Sequence, residues 1–229
     1  MMDSILYGVF ALAYIALIIW LLQRAEPRFV WSNVLYVLLL ALVYDNGIVA
    51  IGKLIGEGDV LYYLNYMRFV LHAFITPLLV IYSIGILQEA NIAWAKRTSV
   101  FLLAALYTIA LIGVELATSI WGLELRPALE YGALRYESAA EEGGPPIMIL
   151  LATVVMLICS VFLWLKRGWI WFFIGVIVMT AGSMISLDVP SSAITNAFEL
   201  FLMTMLVLTK RWVRTHKQTN FALIQFKTL

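Results

Sequence analysis

Between Leu61 and Leu87 the chain reads LYYLNYMRFVLHAFITPLLVIYSIGIL, and this stretch limits the folds open to it. It exceeds the roughly 20 mostly apolar residues that a helix needs to cross a bilayer. It also carries an arginine and a histidine far from either end. Asn65, Arg68, His72 and Thr76 follow one another at three- and four-residue steps, so a helix gathers them on one face. A charge in hydrocarbon costs about 2.5–3.5 kcal/mol on insertion scales, so that face must meet protein or water. Arg68 and His72 are then either a structural lock between helices or part of a site, since ionisable groups inside a membrane are functional by default. The other spans decide.

Charged residues make up 13% of the chain and hydrophobic ones 63%, against about 25% charged in a soluble domain. The chain therefore reads as an all-α, polytopic membrane protein. Seven spans are expected, at about 4–22, 31–54, 61–87, 98–121, 147–165, 169–187 and 192–209. They form one domain over 1–212, followed by a basic cytoplasmic tail over 213–229. GEGD makes a polar turn into the third span, and the acidic segment 122–146 ends in EEGGPP, a strong breaker. The first span lacks the basic flank and small-residue cleavage site of a signal peptide, so it is expected to be retained.

Arg24, Arg28, Lys96, Arg97, Lys166, Arg167 and the basic residues from Lys210 onward fall on one side of these spans. Lys53, Arg126 and Arg135 fall on the other, with most of the acids. Basic residues mark the cytoplasmic face, which predicts an outside N-terminus and a cytoplasmic C-terminus in a plasma or inner membrane. The net charge of +1 comes with no stripe of Lys and Arg, so nucleic acid is not an expected partner. Cys159 is the sole cysteine; it allows no internal disulfide and no thiolate metal site.

In that orientation the polar residues of the spans gather at one depth. Asp45, Arg68, His72, Glu115 and Glu199 lie roughly 9–17 Å below the outer boundary at 1.5 Å per residue, with Asn196 shallower. Thr108, Glu115 and Ser119 share a helix face, as do Ser192, Asn196 and Glu199. The inner half shows almost nothing comparable, and Lys210 and Arg211 are expected at the membrane edge. Clustered, desolvated titratable groups mark sites. The candidate catalytic residues are Asp45, Arg68, His72, Glu115 and Glu199. Tyr44, Asn46, Asn65, Tyr66, Phe69, Thr76, Ser119 and Asn196 are the candidate ligand-binding residues.

The carboxylates in this layer outnumber its single arginine, so at least one is expected to carry a proton. Arg68 is expected to pair with Asp45 or, failing that, with Glu199. A protonated acid beside an ion pair can act as a general acid, and aromatic rings nearby can stabilise a cation. Asp45, Glu115, Glu199 and His72 are also chemically suited to a divalent metal, although Arg68 in the same layer disfavours one. The P-loop, the dinucleotide-binding glycine motif and HExxH are all absent from the sequence.

The segment RFVLHAFITPLLVIY resembles helix C of the microbial rhodopsins, with Arg68, Thr76 and Pro77 at matching positions. The resemblance implies a seven-helix bundle with its N-terminus outside. Leu71 and His72 stand where that family has its counterion aspartate and a tryptophan. Leu200 falls near the position of the retinal lysine, so no retinal Schiff base is expected; nor does the sixth span carry the W-x-x-Y-P pattern. Three function classes result. An intramembrane enzyme would use a carboxylic acid on a lipophilic substrate, an isoprenoid or lipid, in a cyclase- or isomerase-type reaction. A rhodopsin-like receptor without a covalent chromophore is the second. A proton or ion translocator is the third, weakened by the scarcity of relay groups in the inner half.

Overall fold

Long apolar runs leave the backbone few partners except itself, and the helix satisfies its N–H and C=O groups locally. The computed structural model describes residues 2–23, 29–139, 147–184 and 191–227, with side chains to 216. About 81% of it is helical. The helices are α1 (Met2–Leu22), α2 (Val34–Ile55), α3 (Asp59–Ile75), α4 (Leu78–Glu89), α5 (Thr98–Glu115), α6 (Ile147–Arg167), α7 (Trp171–Met184) and α8 (Ile194–Lys227). Five helical stretches, Met2–Leu22, Trp31–Ile55, Asp59–Glu89, Thr98–Ile120 and Ile147–Arg167, are long and apolar enough to cross a membrane. Helix α7 is apolar but shorter, and positions 185–187 of the expected sixth span lie outside the described residues. Helix α8 continues unbroken past position 212, the expected start of the tail.

The expected span 61–87 is bent into two helices at Pro77. Proline lacks an N–H and its ring crowds the preceding turn. Thr76 and Pro77 keep right-handed helical angles, and the chain tightens locally, with Leu79 N–H donating to Thr76 O and Val80 N–H to Pro77 O. Helix α4 then runs through the middle of the bundle, its residues Leu79 to Leu87 all buried. Gly85 lies so close to the Trp31–Ser32 backbone that a Cβ would not fit. Helix α7 approaches α8 in the same way: Cβ atoms at Gly175 and Gly182 would strike Met205 and Phe198. Small residues at these two positions keep one close-packing face along α7.

Residues 125–138, expected as loop, form an antiparallel hairpin of β1 (Leu125–Glu130) and β2 (Ala133–Ser138). Tyr131 and Gly132 both have positive φ, 47° and 90°, as a tight two-residue hairpin turn requires. Leu134 and Tyr136 pack with Ile48 and Leu61, and a Cβ at Gly52 would collide with the Leu134 carbonyl. The hairpin is also bolted to the ends of α1 and α8. Arg135 donates to the Tyr7 hydroxyl and to Ser192 Oγ, both at 2.9 Å, and pairs with Glu137 and Glu130. Burial opposes the Arg135 charge, but Tyr7, Glu137 and Glu130 outweigh it and raise the guanidinium above its ordinary pKa. Fully buried Asp3 accepts from Ser191 Oγ and from the N–H and Oγ of Ser192.

The two ends of the bundle are packed differently. Toward the tail, α8 buries Leu202, Met203, Leu206, Val207, Lys210 and Arg214. Toward the hairpin, none of its residues from Ile194 to Phe201 is fully buried. Helix α3 packs on α2 and on the hairpin, and has no comparable packing with α7 or α8 among the described residues. Helix α8 is thus buried more deeply toward the tail than toward the hairpin.

Candidate functional site

Helices α2 and α3 bring their polar residues together. Arg68 Nε donates to Asp45 Oδ1 at 2.8 Å, and Arg68 Nη1 to Asn65 Oδ1 at 2.7 Å. Asn65 is itself fixed, donating to Leu61 O at 2.8 Å. Of the two partners expected for Arg68, the structure pairs it with Asp45. Tyr44 ties the same two helices by donating to Leu64 O at 3.0 Å. Asn46 donates to Leu42 O and accepts from Asn196 Nδ2 at 3.3 Å, which links α2 to α8.

His72 defines the space beside this pair. The exposed residues Val60, Tyr63, Met67 and Phe74 mark the outward face of α3. At 3.6 residues per turn His72 lies roughly opposite that face, with Arg68 and buried Asn65. Yet His72 is also exposed. A residue that is exposed on the inward face of a helix borders a hollow. His72 Nδ1 meets Thr76 Oγ1 at 3.2 Å, and the ring lies within electrostatic reach of Glu115 and Asp45. Glu115 arrives on the face of α5 that buries Ala104, Thr108 and Leu111. Beyond it α5 widens into a π turn, Leu116–Ile120, which holds Ser119 beside Thr118 at 3.4 Å.

On the far side, half-buried Glu199 of α8 makes no hydrogen bond and no ion pair among the described residues, though it feels the charge of Asp45. Tyr66 and Phe69 are half-buried on α3, and Tyr66 makes no hydrogen bond to the layer among the described residues. Among the described residues no group of three His, Cys, Asp or Glu side chains converges as metal ligands.

Two features lie outside the expected layer. The first is Tyr14 of α1, fully buried, whose hydroxyl has no hydrogen-bond partner among the described residues and which lies within reach of the charges of Glu199 and Asp45. The sequence carries a signal for it: Asp3, Tyr7, Tyr14 and Leu21 form the buried stripe of α1 at helical spacing. The second lies at the tail end, just beyond the expected ends of the third and seventh spans. Glu89, Lys210 and Arg214 are buried at the tail end, with Lys210 Nζ 3.5 Å from Glu89 Oε1. Ser32 Oγ donates to Glu89 and accepts from Lys210. Arg214 donates to Asn33 Oδ1 at 3.0 Å. Lys210 is wholly covered by its neighbours in the protein. Basic residues at the end of an apolar run read as a membrane flank, and only tertiary packing shows them covered.

No family model, no curated protein and no solved structure matches this chain.

Proposed function

We propose that the chain is an integral membrane protein of seven transmembrane helices, N-terminus outside and C-terminus cytoplasmic, in a plasma or inner membrane. Its hollow is the site of an intramembrane enzyme acting on a lipophilic substrate, an isoprenoid or other lipid, by acid catalysis. One observation carries this reading. Asp45 is committed to Arg68, while half-buried Glu199 has no hydrogen-bond partner among the described residues and lies within reach of the charge of Asp45.

The chemistry closes on itself. Glu199 breaks its O–H bond and gives the proton to a substrate double bond, forming a C–H bond and a carbocation. A ring such as that of half-buried Phe69 lowers the cost of that cation. Loss of a neighbouring C–H proton back to the Glu199 carboxylate restores the acid, so the net reaction is an isomerisation or cyclisation. Arg68 orients Asp45 through their hydrogen-bonded pair and is a positioning residue. A ligand-binding protein without a covalent chromophore would use the same hollow, and turnover separates the two. A translocator fits less well even though the tail end has polar groups. Buried Leu79, Val80, Leu202, Met203 and Leu206 lie between the two polar layers.

Two experiments test this. A cysteine at Ala139 reacts with an impermeant thiol reagent in intact cells and one at Asn220 does not; the reverse pattern inverts every helix and removes the depth argument. Glu199→Gln keeps shape and hydrogen-bonding capacity but carries no transferable acid proton. It is expected to melt within a few degrees of wild type and to lose at least 100-fold in turnover, in line with the ~10²–10⁴-fold contribution of general acids. Turnover at the wild-type rate would rule out Glu199 as the acid.

A further inference from the structure

We propose that the tail end carries a separate site, a pocket that binds a phosphate group between Arg167 and His216. The inference goes beyond the reading of the hollow and does not rest on it. The pocket has a volume of about 60 Å³, is partly open, and is lined by Glu89, Asn91, Arg167, Trp212 and His216. A single water needs about 10–15 Å³ of such space, so a group of a few heavy atoms fits.

Local structure brings these residues together. Gly168, with φ of 73°, turns the chain directly after Arg167, the last residue of α6. Arg167 reaches the end of α4, donating from Nε to Ala90 O at 2.8 Å and from Nη2 to Asn91 O at 3.0 Å. The end of a helix leaves carbonyls without partners, and this contact satisfies two such groups. It uses two of the five guanidinium N–H groups. The other three make no hydrogen bond, and Arg167 no ion pair, among the described residues. The side chain is therefore held in position by backbone and still exposed.

The opposite wall comes from α8. Trp212 stacks between Trp169 and His216, with ring centroids 4.8 and 4.2 Å apart. His216 Nδ1 lies 2.9 Å from Trp212 O. A carbonyl only accepts, so Nδ1 carries a proton, and Nε2 is left as a further donor when the ring is protonated. Lys96 Nζ donates to Asn91 Oδ1 at 2.6 Å, which sets a second cation beside the pocket. Glu89 does not oppose an anion here, because Lys210 at 3.5 Å and Arg214 at 3.9 Å answer its charge.

The placing of these donors selects the ligand. A carboxylate has two oxygens in one plane, which a single guanidinium fork can satisfy. A phosphate has outer oxygens pointing to several sides, so it can engage Arg167 on one wall and His216 on the other. Its source is a phospholipid headgroup or a free phosphate. Lys96, Arg97, Lys166 and Arg167 fall on the side expected to be cytoplasmic, where anionic headgroups attract basic residues.

The test equilibrates the full chain, in neutral detergent, with radiolabelled inorganic phosphate, dihexanoyl phosphatidylglycerol and phosphate-free dihexanoylglycerol. At least one phosphate probe binds saturably, and dihexanoylglycerol binds about tenfold more weakly than the better of the two. Tighter binding of phosphatidylglycerol identifies a lipid headgroup, and tighter binding of inorganic phosphate a soluble one. Arg167→Gln can still donate to one α4 carbonyl, and it weakens phosphate binding about tenfold or more, the scale of a lost charged hydrogen bond. His216→Ala removes an exposed side chain and weakens binding about threefold or more, with an unchanged melting temperature. No saturable binding of either phosphate probe overturns the proposal, as does dihexanoylglycerol binding equal to the better one. Unchanged affinity in Arg167→Gln also overturns it, since Arg167 would then only cap α4. If Arg167→Gln does not fold, His216→Ala decides, and unchanged affinity there is fatal to the site.

Discussion

Glu89→Leu is expected to destabilise the protein more than any single substitution in the Asp45–Arg68 layer. Its side chain is 4% exposed, beside Lys210 at 0% and Arg214 at 4%. Removing one member of a buried ion pair typically costs about 3–5 kcal/mol, because the remaining charge stays desolvated. Here two buried cations lose the same carboxylate, and Ser32 loses the acceptor that orients it between Glu89 and Lys210. The melting temperature in a neutral detergent should fall by about ten degrees or more, at roughly 2–4 °C per kcal/mol for a chain of this size. Lys210→Met alone should also destabilise, while Glu89→Leu with Lys210→Met should recover part of the loss. A Glu89→Leu protein that melts with wild type would mean that water reaches this cluster.

The second large effect is at Arg68 and Asp45, and its size is set by exposure. These side chains are 16% and 27% exposed, so solvent in the hollow shares the charge and the cost falls toward the low end of the same ~3–5 kcal/mol range. Arg68→Leu and Asp45→Leu should each lower the melting temperature, and the double substitution should recover part of the loss. Arg68→Leu should be the worse of the two, since it also removes the donor to Asn65 Oδ1. Strictly additive losses would show that the two side chains stabilise the protein independently. Activity offers a separate readout: Glu199→Gln leaves stability nearly intact, whereas the pair substitutions alter both.

Much of the helical architecture is legible in the residues because its cause is local. Five of the expected spans correspond to helical stretches long and apolar enough to cross a membrane, since an apolar run of that length has few ways to satisfy its backbone except a helix. The spacing of Asn65, Arg68 and His72 also places them on one inward face, because helical phase depends on sequence separation alone.

What the sequence could not determine depends on which residues meet across the bundle. Arg68 has two possible acids, and packing of α3 on α2 selects Asp45. Lys210 and Arg214 read as a flank, yet α4 brings Glu89 up beside them, and burial depends on neighbours far away in the chain. The hairpin escapes a reading of the residues because its strands are short and one contains Pro127. Its stability comes from Leu134 and Tyr136 packing on α2 and α3 and from Arg135 reaching Tyr7 and Ser192. Tyr14 looks like one apolar-span aromatic among many. It comes under the influence of the Glu199 charge only once α1 and α8 are side by side.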